Sequence, residues 1–546
     1  MAAVALVYRA VPNHAFVNFD DPLYLTENGH VTAGWTAGGL QWAWTNKDAL
    51  QWQPLTWMAH MAVSELAGMR PAAHLGVNVA LHAVNALLLF ELLGALTGAL
   101  RRSLAVALLF AVHPINVETV AWASQLKSTL STLLGLLALR WWVAARDRPG
   151  VRGVWCAALA FAGSLLAKPM LVSLPILLLL LDVWPQSRLP SIGRRQAAWG
   201  LIREKLPFFM IAALVTTVTA LPWGAKVELN TVQPPELARG AAVAVNYVRY
   251  LGLLIWPVDL AVLYPETIDY PLVWVVAAWL GLAGITGLVW RERARRPVLL
   301  FGWLWFCLTL LPVSGLVRLG PQGIADRYLY FPAIGLFVAI VWTLADWPWL
   351  RSRSGMWWAG SALLFLLAIR AVDQVGIWQD SLTLWRQASA VTEPSAASRL
   401  NLGHALFQAG RRAEAAVAFQ EALRLEPGNP RAYVNLALLA QARSDLAEAE
   451  RLLRAGLALA PRDARILSNL GSLRQDRGDA EEARALLEQA VALQPALYEA
   501  RMNLGVLLAQ TGDSSGAMRQ FAAALALRPG DVGARHNLEL ATRAGR

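Results

Sequence analysis

Residues 401–436 read NLGHALFQAGRRAEAAVAFQEALRLEPGNPRAYVNL, opening and closing on the same Asn-Leu pair 34 positions apart. The pair recurs as Asn401-Leu402, Asn435-Leu436, Asn469-Leu470, Asn503-Leu504 and Asn537-Leu538. Ala415, Ala449, Ala483 and Ala517 keep the same spacing, and so do Pro427, Pro461, Pro495 and Pro529. A period of this length marks a supersecondary unit that cannot bury its apolar face alone and stacks on copies of itself. The small alanines let two helices of a unit approach closely, and the proline closes each unit.

The pattern predicts a tetratricopeptide-repeat superhelix over 393–546, with four repeats and a capping helix from Val532. Such arrays present a groove for a protein or peptide; a rigid spacer is the plainer reading.

Upstream of the repeats the composition changes. Of the 48 Lys and Arg, 29 lie in residues 1–392, and of the 37 Asp and Glu, 20 lie there. The whole chain is 56% hydrophobic and 16% charged, with 25 Trp and a mean hydropathy of +0.42. These values describe a polytopic membrane protein, and basic inner loops account for the positive excess without nucleic acid. Twelve apolar candidates run from an incomplete-looking first helix at Met1–Val7 to Met356–Val372. Arg101-Arg102, Arg140–Arg152, Arg188–Lys205, Arg291–Arg296 and Arg351 with Arg353 read as cytoplasmic. That assignment requires one segment, Ala241–Trp256, to stay out of the crossing set. About 11 spans remain, within a domain at 1–385. The loop 13–73, rich in Trp, then lies outside with interfacial helices, as does the repeat domain. The fold class expected is all-α: a polytopic helix bundle followed by the repeat superhelix. Cys156 and Cys307 sit in apolar stretches and read as small buried residues, with neither disulfide nor metal.

Chemistry is expected at Asp20 and Asp21, in Phe16-Val17-Asn18-Phe19-Asp20-Asp21-Pro22 just beyond the first apolar segment. Two adjacent carboxylates at a bilayer surface repel each other and lose solvation. They are candidate general bases, or ligands for a divalent cation (Mg or Mn); no cofactor is otherwise indicated. An Asp-Asp-Pro turn is the bland alternative. His113 and Glu118, in His113-Pro114-Ile115-Asn116-Val117-Glu118, could face a sugar. Lys127, Lys168, Arg327 and Tyr328 fall at a similar depth and could bind a lipid phosphate. His74, Asn78 and His82 share one helix face, as an interhelical hydrogen-bond stripe would. There is no P-loop, HExxH, paired CxxC or GxSxG.

Seven stretches together resemble the transmembrane and tetratricopeptide-repeat containing proteins and their bacterial members: FVNFDDPLY (16–24), HLGVNVALHAVN (74–85), HPINVETVAW (113–122), AKPMLVSLPILLLLLDVWP (167–185), NYVRYLGLLIWPVDLAVLY (246–264), ADRYLYFP (325–332) and WQDSLTLW (378–385). The resemblance implies a membrane-embedded glycosyltransferase of the C type, in the bacterial inner membrane with periplasmic repeats. It implies transfer of a sugar, mannose in animals, from a polyprenyl-phosphate carrier to a hydroxyl of a protein acceptor held by the repeats. Asp20 and Asp21 match its catalytic carboxylates, and a single displacement implies inversion. The rival expectation is a non-catalytic, membrane-anchored scaffold for envelope proteins.

Overall fold

The computed structural model describes residues 1–46, 52–147, 151–188, 194–227, 236–267, 269–316, 322–346, 355–528 and 530–545. Pro529, Arg351 and Arg353 lie outside the described residues. The chain is all-α. Among the described residues, strand structure is confined to a ribbon in which Tyr264–Pro265 runs antiparallel to Gln322–Ile324. The chain divides into two units: Met1–Phe16 with Leu40–Val63 and Arg70–Asp380, and Val17–Gly39 with Ser64–Met69 and Ser381–Arg546. The sequence boundary at 385 misses two insertions, because 17–39 and 64–69 pack with the repeats although they lie far upstream.

The first unit is a membrane helix bundle. Four of its described helices are long and apolar enough to cross a bilayer: Pro71–Thr97, Ala123–Ala145, Leu272–Glu292 and Trp358–Ile377. Leu100–Val112 and Pro114–Ala121, bent by 54° at the proline, form a fifth if counted as one span. Arg152–Ala167, Leu174–Val183, Pro297–Val313 and Ala333–Ala345 are shorter apolar helices. Trp274, Trp279 and Leu280 on Leu272–Glu292, and Trp358, Phe365 and Leu366 near the last span, are exposed, as lipid-facing side chains are. Cys156 is exposed as well, correcting the expectation of burial: it points off the outer face of Val151–Ala167. Glu236–Ile255, which covers all but the last residue of the segment set aside from the crossing set, is tied to the bundle by Tyr247 Oη donating to the Cys307 carbonyl (2.7 Å).

Polar side chains stitch the bundle together. Asn78 Nδ2 donates to the Trp122 carbonyl (2.7 Å), Thr129 Oγ1 to Asn78 Oδ1 (3.2 Å), and Asn85 Nδ2 to the Thr129 carbonyl (3.0 Å). His82 Nδ1 meets Tyr330 Oη at 2.7 Å. Of the stripe read from the sequence, Asn78 and His82 join this hydrogen-bond ladder, while His74 Nδ1 meets His60 Nδ1 at 3.4 Å. Gly302 and Gly335 bring two helices into backbone contact; a Cβ on Gly302 would strike the Gly335 carbonyl.

The second unit carries the repeats. Ala396–Gln408 pairs with Arg412–Leu425, Pro430–Gln441 with Leu446–Leu459, Ala464–Asp476 with Ala480–Leu493, and Tyr498–Gln510 with Ser514–Leu527; Val532–Ala544 follows. Ala415, Ala449, Ala483 and Ala517 are fully buried, where the sequence period puts the close approach. Asn429, Asp445, Asp463, Asp513 and Asp531 cap helix starts by accepting from backbone N–H groups.

Candidate functional site

The carboxylate loop belongs to the repeat-bearing unit and is built onto its first helices. Asn18 is the anchor. Its N–H donates to Ser381 Oγ (2.8 Å), its carbonyl accepts from Trp385 Nε1 (3.2 Å), and its Nδ2 contacts His404 Nδ1. Phe19 packs edge-on against Trp385, ring centroids 5.4 Å apart. Beyond the anchor, Pro22–Thr26 forms one wide helical turn, closed by Glu27 N–H donating to the Pro22 carbonyl (2.9 Å).

This frame gives the two acids different surroundings. Asp21 is buried, 1% exposed, and its Oδ2 accepts from Val17 N–H (2.9 Å). Asp20 is half-buried, and its carbonyl accepts from Tyr24 N–H (2.9 Å). Asp21 thus fills the turn role that an Asp-Asp-Pro can always play, while Asp20 retains access to solvent. Among the described residues, no three or more His, Cys, Asp or Glu are grouped to hold a metal ion.

The other candidates lie in the membrane unit. Glu118, in Val117–Ala121, accepts at Oε2 from Arg327 N–H (2.8 Å) and at Oε1 from Arg327 Nη1 (2.5 Å). Arg327 Nη2 donates to Gln322 Oε1 (3.0 Å), and its guanidinium lies 5.4 Å from the Trp122 ring and 5.1 Å from that of Tyr328. Lys168 Nζ donates to Ser128 Oγ (2.9 Å) and stands 5.7 Å from the same Tyr328 ring. Glu118, Lys168 and Arg327 therefore form one buried charged cluster beside the half-buried Tyr328. Ser128, Ser131, Lys168, Arg327 and Tyr330 help line a cavity of about 10 Å³. That is too small for a phosphate.

Lys127 is buried at the start of Leu126–Asp147, where its charge is felt at His60. His113 works as a brace: Nδ1 accepts from Ile115 N–H (3.2 Å) and Nε2 pairs with the Leu254 carbonyl (3.1 Å). Sequence reasoning missed Gln322, Tyr264, whose Oη donates to Asp326 Oδ1 (2.8 Å), and above all Asn18. Asn18 stood inside the quoted FVNFDDPLY, but nothing local sets it apart from a loop residue.

Tetratricopeptide repeat models match residues 406–472, and 365–430 with 468–532. Protein O-mannosyl-transferase TMTC4 of Mus musculus is 24% identical over 426 residues, 68% of this chain and 58% of that protein. Protein O-mannosyl-transferase TMTC1 of Homo sapiens is 26% identical over 443 residues, 70% of this chain and 49% of that protein. The chain thus spans between half and three-fifths of the length of these relatives. The crystal structure of TTC0263, a thermophilic TPR protein in Thermus thermophilus, matches 33% of this chain and 95% of its own at 22% identity, with a TM-score of 0.28. The chain is a multi-pass membrane protein with tetratricopeptide repeats, related in sequence to the TMTC family of protein O-mannosyl-transferases.

Proposed function

We propose that this protein transfers a sugar, mannose by analogy with its relatives, from a polyprenyl-phosphate donor to a hydroxyl of a protein acceptor. The observation that carries the reading is the contrast at the carboxylate loop: Asp20 half-exposed on a loop pinned at Asn18, Asp21 buried beneath it. In this reading Asp20 takes the proton of the acceptor hydroxyl as its oxygen attacks the anomeric carbon. The bond from that carbon to the phosphate oxygen breaks, its electron pair leaves with the polyprenyl phosphate, and the centre inverts. General-base help of this kind is worth about 10²–10⁴-fold.

Donor binding is assigned to the membrane unit, with Lys168 and Arg327 as phosphate ligands and Tyr328 beside them. For a phosphate to enter, the cavity of about 10 Å³ beside Lys168 and Arg327 must widen and the Ser128 and Gln322 hydrogen bonds give way, while Arg327 keeps its pair with Glu118. No step of this reading is routed through a divalent cation. A bacterial inner membrane with the repeats on the periplasmic side completes the proposal.

The test uses the full chain in lipid nanodiscs with labelled polyprenyl-phosphate mannose and a Ser/Thr-rich acceptor protein. Label should pass to protein with the natural sequence and not with Asp20→Asn. Unchanged transfer by Asp20→Asn refutes the assignment.

A further inference from the structure

Within the repeat-bearing unit, a cavity of about 240 Å³ opens on the first helices of three successive repeats. Asn401, His404, Arg431, Asn435 and Arg465 line it, and Asn18 of the carboxylate loop lines it too. Its charge is unbalanced. Asp463 is the acid on the wall, and it is already spent: its Oδ1 caps the helix at Arg465 N–H (2.9 Å) and Ile466 N–H (3.1 Å), and its Oδ2 stands 3.7 Å from Arg465. The Arg431 guanidinium has no ion pair among the described residues. Arg431 is exposed to solvent, and the Arg465 charge beside it makes this stretch of the wall basic. Asn401 and Asn435, one period apart, offer amides to an extended backbone, each able to donate and accept.

We infer that this cavity seats an extended acceptor segment bearing a carboxylate, with Arg431 and Arg465 as its anion site and Asn18 at the end where the hydroxyl is presented. Asn18 is two residues from Asp20, so groove and base are parts of one unit. The chain thereby selects acceptors whose hydroxyl residue has an acidic group nearby in sequence. The inference rests on the transferase reading for its consequence but not for its test.

That test is donor-free. Fluorescent, C-terminally amidated Ser/Thr peptides carrying one Asp are compared with Asn twins by anisotropy, using the full chain in nanodiscs. The Asp peptide should bind about tenfold tighter, the worth of one charge-assisted hydrogen bond. Arg431→Ala with Arg465→Ala should erase the difference, Arg431→Lys should keep most of it, and Arg519→Ala, outside the cavity, should leave it unchanged. A peptide with a free C-terminus and no Asp tells whether a chain end serves as well as a side chain, and tight binding of either carboxylate supports the site. Equal binding of the Asp and Asn peptides, or a preference surviving the double substitution, overturns it. Acid-selective binding without sugar transfer would sink the transferase reading alone, and transfer indifferent to the Asp would sink this inference alone.

Discussion

Asp20 uses its carbonyl to hold Tyr24 N–H, whereas Asp21 uses its carboxylate to hold Val17 N–H (2.9 Å). The two acids should therefore fail differently. Asp20→Asn should cut sugar transfer by about 10²–10⁴-fold. Asp21→Ala leaves a buried N–H unmet and should destabilise the repeat-bearing unit by about 1–3 kcal/mol, read by thermal melting. His404 adds a pH dependence. Its Nδ1 faces Asn18 Nδ2, a contact that needs an unprotonated acceptor. Burial, then the Arg431 charge, lower its pKa from 6.5, against the opposing charge of Glu27. The unfolded chain then binds a proton more readily than the folded one. Stability is flat above pH 6.5 and falls as pH drops below it towards the folded pKa. Melting curves from about pH 7.5 down to about 5 should show this slope, and His404→Gln should flatten it.

At the scale of elements, the repeats repeat their turn as well as their helices. Gly410, Gly478 and Gly512 close the intra-repeat turns with φ of +74°, +87° and +86°, and Ser444 occupies the same register at +63°. A side chain in that conformation is strained, so Ser444→Gly should stabilise the repeats by about 0.5–1 kcal/mol after the added freedom of the unfolded chain is counted. Chemical denaturation of the two proteins measures it. In the bundle, Val117–Ala121 is held to the Asp326–Leu329 turn by the buried Glu118–Arg327 pair. Glu118→Ala strands a buried guanidinium and should cost about 3–5 kcal/mol, seen as early melting of the detergent-solubilised protein. A much smaller loss would mean that water reaches Arg327.

For the molecule as a whole, what the sequence made legible is what repeats or alternates locally. The 34-residue period located the buried alanines, and the i, i+4 face of Asn78 and His82 located the bundle's ladder. Pairings across long separations left no such trace. Glu118 and Arg327 were each singled out, but their 209-residue separation hid that they neutralise each other. Asn18 and Trp385 are 367 positions apart, so the attachment of the carboxylate loop to the repeats could not be read from either. That attachment makes the second unit discontinuous in sequence. A repeat fragment starting at Ser381 lacks Val17–Gly39, and with it the partners of Trp385, Ser381 and His404, as well as Glu27, which pairs with Arg528 at 3.4 Å. Trp385 would then expose its ring and an unmet indole N–H. The fragment should melt below a version in which residues 17–39 are fused to its N-terminus by a flexible linker, because the fusion supplies those partners at high effective concentration. Asn18→Gly with Phe19→Ala in the fusion should cancel most of the gain. If the fragment and the fusion melt at the same temperature, the loop contributes nothing to the array, and the coupling of acceptor groove to Asp20 has no structural basis.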